Sequence, residues 1–125
     1  MITIDYKSRV PIYDQITGSV IRLKTFGILK AGDKLPSVRS LAIELGVNPN
    51  TVQKAYAILE ADGVICSVSG KGSFISEDSS ADDAIMTAVK NEFMDAVQNA
   101  VRMGLDQKTA TKILNDAYKG GNRND

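Results

Sequence analysis

Apolar residues recur at helical spacing along most of this chain. After Pro11, the residues Ile12, Ile16, Val20 and Leu23 return every three or four positions, which predicts an amphipathic helix running to about Leu29. Pro11 suits the opening turn because its fixed φ is already helical. Val38, Leu41, Ala42 and Leu45 form a second, shorter stripe, with Ser37 as N-cap and Gly46 as the stop. Only Val47 separates that stop from a new cap at Asn48 and a first helical position at Pro49. Val52, Ala55, Tyr56 and Leu59 then carry a third stripe to Asp62-Gly63. Two short helices joined by a tight glycine turn, each apolar on one side, predict a helix-turn-helix.

The period then changes. Val64-Ile65-Cys66-Ser67-Val68 and Ser73-Phe74-Ile75 read as strands around Ser69-Gly70-Lys71-Gly72, a hairpin with a glycine-bearing tip. A hairpin directly after a helix-turn-helix predicts the winged form. Upstream, Ile2, Ile4 and Tyr6 alternate with polar residues as a strand-like or extended arm, and Lys34-Leu35 reads as a stub of strand.

From Glu77 the chain turns acidic and serine-rich, a linker over residues 77–83. Met86, Val89, Phe93, Val97, Ala100 and Val101 follow as one apolar stripe, Gly104 interrupts, and Asp106 caps a last helix with Ala110, Ile113, Leu114 and Ala117 on one face. The division expected is a winged helix-turn-helix over residues 1–76, the linker, a two-helix segment over 84–120, and a frayed, disordered tail over 121–125. The fold class is mainly α with a small β-hairpin wing.

Composition narrows the chemistry. The 125 residues are 43% apolar and 24% charged, enough for one domain with an appendage. No apolar run reaches the roughly 18 residues that would predict a membrane span, and MITIDYKSRV lacks the apolar core of a signal peptide. The single cysteine, Cys66, excludes an internal disulfide, fits a reducing cytoplasm and reads as a small buried strand residue. There is no histidine, so imidazole-based zinc sites and histidine bases are ruled out. With no nucleophile beside a base and no phosphate-binding loop in strand–loop–helix context, an enzyme is not expected, nor is a cofactor or metal. The 15 basic and 15 acidic residues balance, but unevenly: residues 1–76 hold nine cations against six anions, and residues 77–125 the reverse. A basic front and acidic rear suit a polyanion-binding module joined to an appendage with another task.

At about 100° per residue, Asn50, Gln53, Lys54 and Ala57 fall opposite the buried stripe of the third helix, a compact face without carboxylates until Glu60. Gln53 or Asn50 could pair bidentately with adenine, Ala57 could touch a thymine methyl, and Lys54 could reach guanine or phosphate. Arg39, in the first turn of the preceding helix, could hold a phosphate together with that helix's N-terminus. Lys71 at the hairpin tip could approach the DNA backbone or the minor groove. The same pattern also fits a winged-helix module that binds a protein partner, and Gly70-Lys71-Gly72 also fits a plain hairpin turn.

Pro11-Ile12-Tyr13-Asp14-Gln15-Ile16, Leu35-Pro36-Ser37-Val38-Arg39-Ser40-Leu41-Ala42, the run from Leu45 through Tyr56, Leu59-Glu60, Gly63 and Gly70-Lys71-Gly72-Ser73-Phe74 appear in that order. Over about residues 8–76 the chain thereby resembles the GntR family of bacterial winged-helix transcriptional regulators. The resemblance implies that Arg39 holds a backbone phosphate, that Asn48, Asn50, Thr51 and Gln53 lie at or near an operator, and that Ser69, Gly70 and Lys71 form the wing contact. Ser37, Pro49, Lys54 and Gly72 complete the expected DNA-binding set. Many relatives carry arginines where this chain has Pro49 and Gln53, so their base preference does not transfer. With only about 45 residues after the wing, the chain resembles the short YtrA-like subgroup, whose tail is implied to dimerise and whose members commonly regulate transporter operons.

The tail points the same way. Two helices with apolar stripes and no other core need a partner surface, and a second copy in a two-fold dimer supplies it. Met86, Val89, Phe93, Val97, Val101, Ile113, Leu114 and Ala117 are the expected dimerisation residues, the alternative being a tail folded back on its own winged domain. A metabolite pocket needs roughly 300–1,000 Å³, and a two-helix tail encloses little. A small-molecule effector would lodge at the dimer interface and act by changing the angle between the winged domains. The function expected is a sequence-specific repressor that binds a pseudo-palindromic operator as a homodimer in the cytoplasm.

Overall fold

The apolar stripes become helices that bury them against one another. In a computed structural model, which describes the backbone of residues 1–124 and the side chains of residues 1–120, the order is α1 (Ile12–Thr25), α2 (Val38–Leu45), α3 (Pro49–Ala61), β1 (Ile65–Val68), β2 (Gly72–Ile75), α4 (Ser80–Arg102) and α5 (Gln107–Asn124). The chain forms two compact units, residues 1–84 and 85–125.

In the first unit α1, α2 and α3 pack around Ile16, Val20, Leu41, Val52, Ala55 and Leu59, with Val64 and Ile75 closing the core from the wing. Each fully buried Val, Leu or Ile side chain contributes about 1.5–3 kcal/mol of hydrophobic stabilisation. β1 and β2 pair antiparallel, with Ile65 opposite Ile75 and Val68 opposite Gly72. The segment before α2 adds a short third edge: Leu35 N–H donates to the Ser73 carbonyl at 2.9 Å, and Ile75 N–H to the Asp33 carbonyl at 2.8 Å. The strand stub expected at Lys34-Leu35 is thus a bridge from Lys34 to Phe74 that fastens the wing to the entry of α2.

Several boundaries differ from the sequence reading. α1 stops at Thr25, four residues before Leu29, because Gly27 adopts φ 76° and Ile28 N–H turns back to the Leu23 carbonyl. Residues 1–10 form no strand; Ile2 is buried, and the Tyr6 hydroxyl donates to the Leu45 carbonyl. Cys66 is exposed rather than buried. The two-stranded wing has a single covered face, and the pleat gives that face to Ile65 and turns Cys66 away.

The linker is shorter than residues 77–83. Asp78 Oδ1 accepts from the Ser80 N–H at 2.9 Å, which starts α4 at Ser80, and the Ser80 side chain, followed by that N–H, holds the Asp78 carboxyl below its ordinary pKa. Residues 80–84 remain part of the first unit. There Lys24 Nζ lies 2.9 Å from Asp82 Oδ1, with only 9% of the lysine side chain exposed, and Ala81 packs against Gly63. At the other end, α5 continues through Gly120-Gly121 to Asn124, so the frayed, disordered tail expected over residues 121–125 is helical as far as Asn124. A helical glycine costs only about 1 kcal/mol relative to alanine, too little to enforce a stop. Asp125 lies outside the described residues.

Candidate nucleic-acid interface

The two helices of the helix-turn-helix are capped by the residues that lead into them. Ser37 Oγ accepts the Ser40 N–H at 3.0 Å, and Asn48 Oδ1 accepts the Asn50 N–H at 2.8 Å. Between them Gly46 takes φ 68°, and Val47 N–H donates back to the Ala42 carbonyl. A left-handed residue there lets the chain reverse within one residue of the next cap. Neither α2 nor α3 has an acidic side chain in its first turn, in contrast to α1 and α4. Their N-terminal amide ends therefore keep an uncompensated partial positive charge, suited to phosphate. Arg39 is exposed in the first turn of α2.

Burial of Val52, Ala55, Tyr56 and Leu59 turns the opposite side of α3 outward. Asn50, Gln53, Lys54 and Ala57 are all exposed on it, Thr51 is half-buried at its edge, and Pro49 occupies the first helical position. The Tyr56 hydroxyl donates to the Pro36 carbonyl at 2.7 Å, tying α3 to the residue just before the α2 cap. Burial, and to a lesser degree the nearby Glu44 carboxylate, push the Tyr56 pKa up to about 12. The hydroxyl therefore stays a protonated donor throughout the physiological range.

In the wing, Lys71 N–H closes a turn onto the Val68 carbonyl at 2.9 Å, with Gly70 at φ 76°. Ser69, Gly70, Lys71 and Gly72 are exposed. Gly72 has a backbone reason of its own: its φ of 114° is one that residues with a Cβ rarely adopt. The two glycines thus satisfy the backbone requirements of the turn while leaving Lys71 at the tip.

Two groups that the sequence pattern did not single out join this surface. Tyr13 on α1 lies under Lys54, whose Nζ stands 3.8 Å from the ring centroid, and the Lys34 side chain reaches along β2 to Gly72, beside the wing tip. Their roles here had no local signal, since each is placed by a contact distant in sequence. Conversely, Lys24 is taken out of the basic footprint by its pairing with Asp82.

The second unit presents apolar rather than polar chemistry. No residue of α4, among the described residues, is buried. Phe93, Val97, Val101, Ile113, Leu114 and Ala117 line one open groove of about 600 Å³ together with Ala96, Ala100, Leu105 and Ala110. Met86 and Val89 are exposed on α4 but lie outside that groove. Asp106 caps α5 through both the N–H and hydroxyl of Thr109, at 3.1 and 2.7 Å, which holds its carboxyl below the ordinary value.

A three-helix core with a capped helix-turn-helix, an outward polar face on its second helix and a glycine-tipped wing defines a winged-helix DNA-binding regulator. Residues 12–75 match the family described as bacterial regulatory proteins, gntR family. Over its whole length the chain is 40% identical to the HTH-type transcriptional repressor YtrA of Bacillus subtilis, 100% of each chain being covered. The crystal structure of a transcriptional antiterminator from Listeria monocytogenes superposes with a TM-score of 0.76 at 33% identity, covering 94% of this chain and 90% of that one. The DNA-binding domain of AraR, solved in complex with an operator, superposes with a TM-score of 0.53 at 26% identity over 59% of this chain and 92% of that one. The chain belongs to the GntR family, in its short YtrA-like form, and is a DNA-binding transcriptional regulator rather than an enzyme. Among the described residues no helix is long and apolar enough to cross a membrane.

Proposed function

We propose that this chain is a cytoplasmic, homodimeric repressor that places one α3 from each copy in the major groove of a pseudo-palindromic operator. The observation that carries the reading is the exposed, carboxylate-free face of Asn50, Gln53 and Ala57 on a helix whose other side is locked into the core. Asn50 and Gln53 have the side-chain amides needed to pair bidentately with adenine, and Ala57 is small enough to meet a thymine methyl. Arg39, with the N-terminal amides of α2, holds backbone phosphate, and Asn48, Pro49 and Thr51 bring the start of α3 close to the duplex. Ser69, Gly70, Lys71 and Gly72 of the wing contact the adjacent backbone or minor groove. Ser37 acts in this reading as the cap that orients the α2 N-terminus.

The groove of the second unit supports dimerisation. Phe93 is 57% exposed, Val101 71% and Ile113 58%, a continuous apolar surface that a second copy of the same two helices would cover. Repression is supported by the resemblance to YtrA, a transcriptional repressor.

Selection of bound duplexes from a random DNA pool, with sedimentation of the free protein, tests the proposal. Enriched sequences should contain two inverted half-sites separated centre to centre by about one helical turn, roughly 34–36 Å, or a multiple of it. A free protein that is monomeric at micromolar concentration, or enriched duplexes with a single half-site, would overturn the dimeric reading.

A further inference from the structure

Lys54 is the one cation on the outer half of α3, and it is held sideways. Its Nζ stands 3.8 Å from the centroid of the Tyr13 ring, at the second residue of α1. On a helical net of about 100° per residue, Lys54 falls between exposed Asn50 and half-buried Ile58, at the border between the outward face and the side that α1 covers. Among the described residues the ion pairs are Lys24–Asp82 and Lys112–Asp116, and Lys54 joins neither. Its charge therefore has a ring for support and no carboxylate to neutralise it.

We propose that Tyr13 is a positioning residue for DNA binding: its ring holds the Lys54 ammonium at the α1 edge of α3, where it meets a backbone phosphate rather than a base. This rests on the groove reading of α3 given above. A lysine side chain is a flexible four-carbon stem with a point charge at its end, and left alone it samples many rotamers. The ring occupies one side of the ammonium and restricts that sampling, while the remaining N–H donors stay open to a phosphate oxygen. Base reading is then left to Asn50, Gln53 and Ala57. Aromatic support at an exposed site corresponds to a change of about two- to fivefold in affinity.

The test compares Tyr13→Leu, Tyr13→Phe, Lys54→Gln and the Leu/Gln double variant, binding a duplex enriched by the selection described above. Tyr13→Leu should weaken binding two- to fivefold, and Tyr13→Phe, which keeps the ring, should restore it. In the Lys54→Gln background Tyr13→Leu should have no further effect. Lys54→Gln itself should weaken all duplexes alike and lower the log-salt slope by about one. Equal weakening by Tyr13→Leu with and without Lys54, or a preference changed at a single base pair by Lys54→Gln, would overturn the assignment. A second readout needs no DNA: the Lys54 ε-methylene protons of the free, full-length protein should be shifted upfield by the ring. Absence of that shift sinks the contact even if the protein binds DNA. Failure of the unsubstituted protein to bind any duplex sinks the groove reading, and this proposal with it, whatever the shift.

Discussion

The Tyr56 hydroxyl reaches across the helix-turn-helix to donate to the Pro36 carbonyl at 2.7 Å. It joins the middle of α3 to the residue that precedes the Ser37 cap, so the face bearing Gln53 and the turn bearing Arg39 are referenced to one another through a single bond. The ring itself is part of the core, 4% exposed. Tyr56→Phe keeps the packing and removes the bond. Because Pro36 is exposed and water can take the donor's place, the expected loss is about 0.5–1.5 kcal/mol of unfolding free energy, measured by urea titration, with the far-ultraviolet spectrum unchanged.

The same hydroxyl predicts an alkaline limit. Its folded pKa is raised from 10.0 to about 12, so the unfolded chain releases this proton at lower pH than the folded one. The stabilisation is fully present below pH 10 and is lost as pH rises from about 10 to about 12. Urea midpoints across that window should fall more steeply for the unsubstituted protein than for Tyr56→Phe; parallel declines would refute the assignment.

Arg39 and Gln53 should behave as different kinds of contact. Arg39→Ala is expected to weaken binding to every duplex by a similar factor and to lower the log-salt slope by about one. Gln53→Ala is expected to relax preference at one base pair, costing about 1–3 kcal/mol on the preferred site and much less elsewhere. Competition assays at several salt concentrations separate the two. Identical behaviour would show that the roles are misassigned.

A carboxylate in the tail groove should separate the proposed dimer. Val97 and Leu114 are each 40% exposed and line the groove. Burying an unpaired charge against apolar side chains is costly, so Val97→Glu or Leu114→Glu should sediment as a monomer at micromolar concentration. The first unit keeps its own core, and its helical signal should persist. Operator affinity should fall steeply, because two half-sites would then be bound independently. An unchanged dimer would place the interface elsewhere.

The core of the first unit leaves little room for truncation. Leu59 is fully buried at the end of the α3 stripe, next to the Gly63 stop and the start of the wing. Leu59→Ala is expected to cost about 2–5 kcal/mol through lost transfer energy and the cavity left behind. Thermal melts should show a large drop in midpoint, whereas Gln53→Ala should melt within a degree or two of the unsubstituted protein.

Local pattern alone determined a great deal here. The stripes at Ile16 and Val20, at Leu41 and Ala42, and at Val52, Ala55, Tyr56 and Leu59 are buried in α1, α2 and α3, where α1 buries Thr17 and Ser19 as well. Ser37 and Asn48 are the caps, Gly46 is the stop, and the hairpin lies where the period changes. These features are legible because helix period, capping and turn chemistry depend on residues within one or two turns of each other. Tertiary structure decided what depends on distant neighbours. It turned Cys66 outward, paired Lys24 with Asp82, drew Asp82 and its helical turn into the first unit, and laid Lys54 over Tyr13. Whether an exposed position is covered, and by what, depends on which remote segment packs beside it, and no period along the chain encodes that.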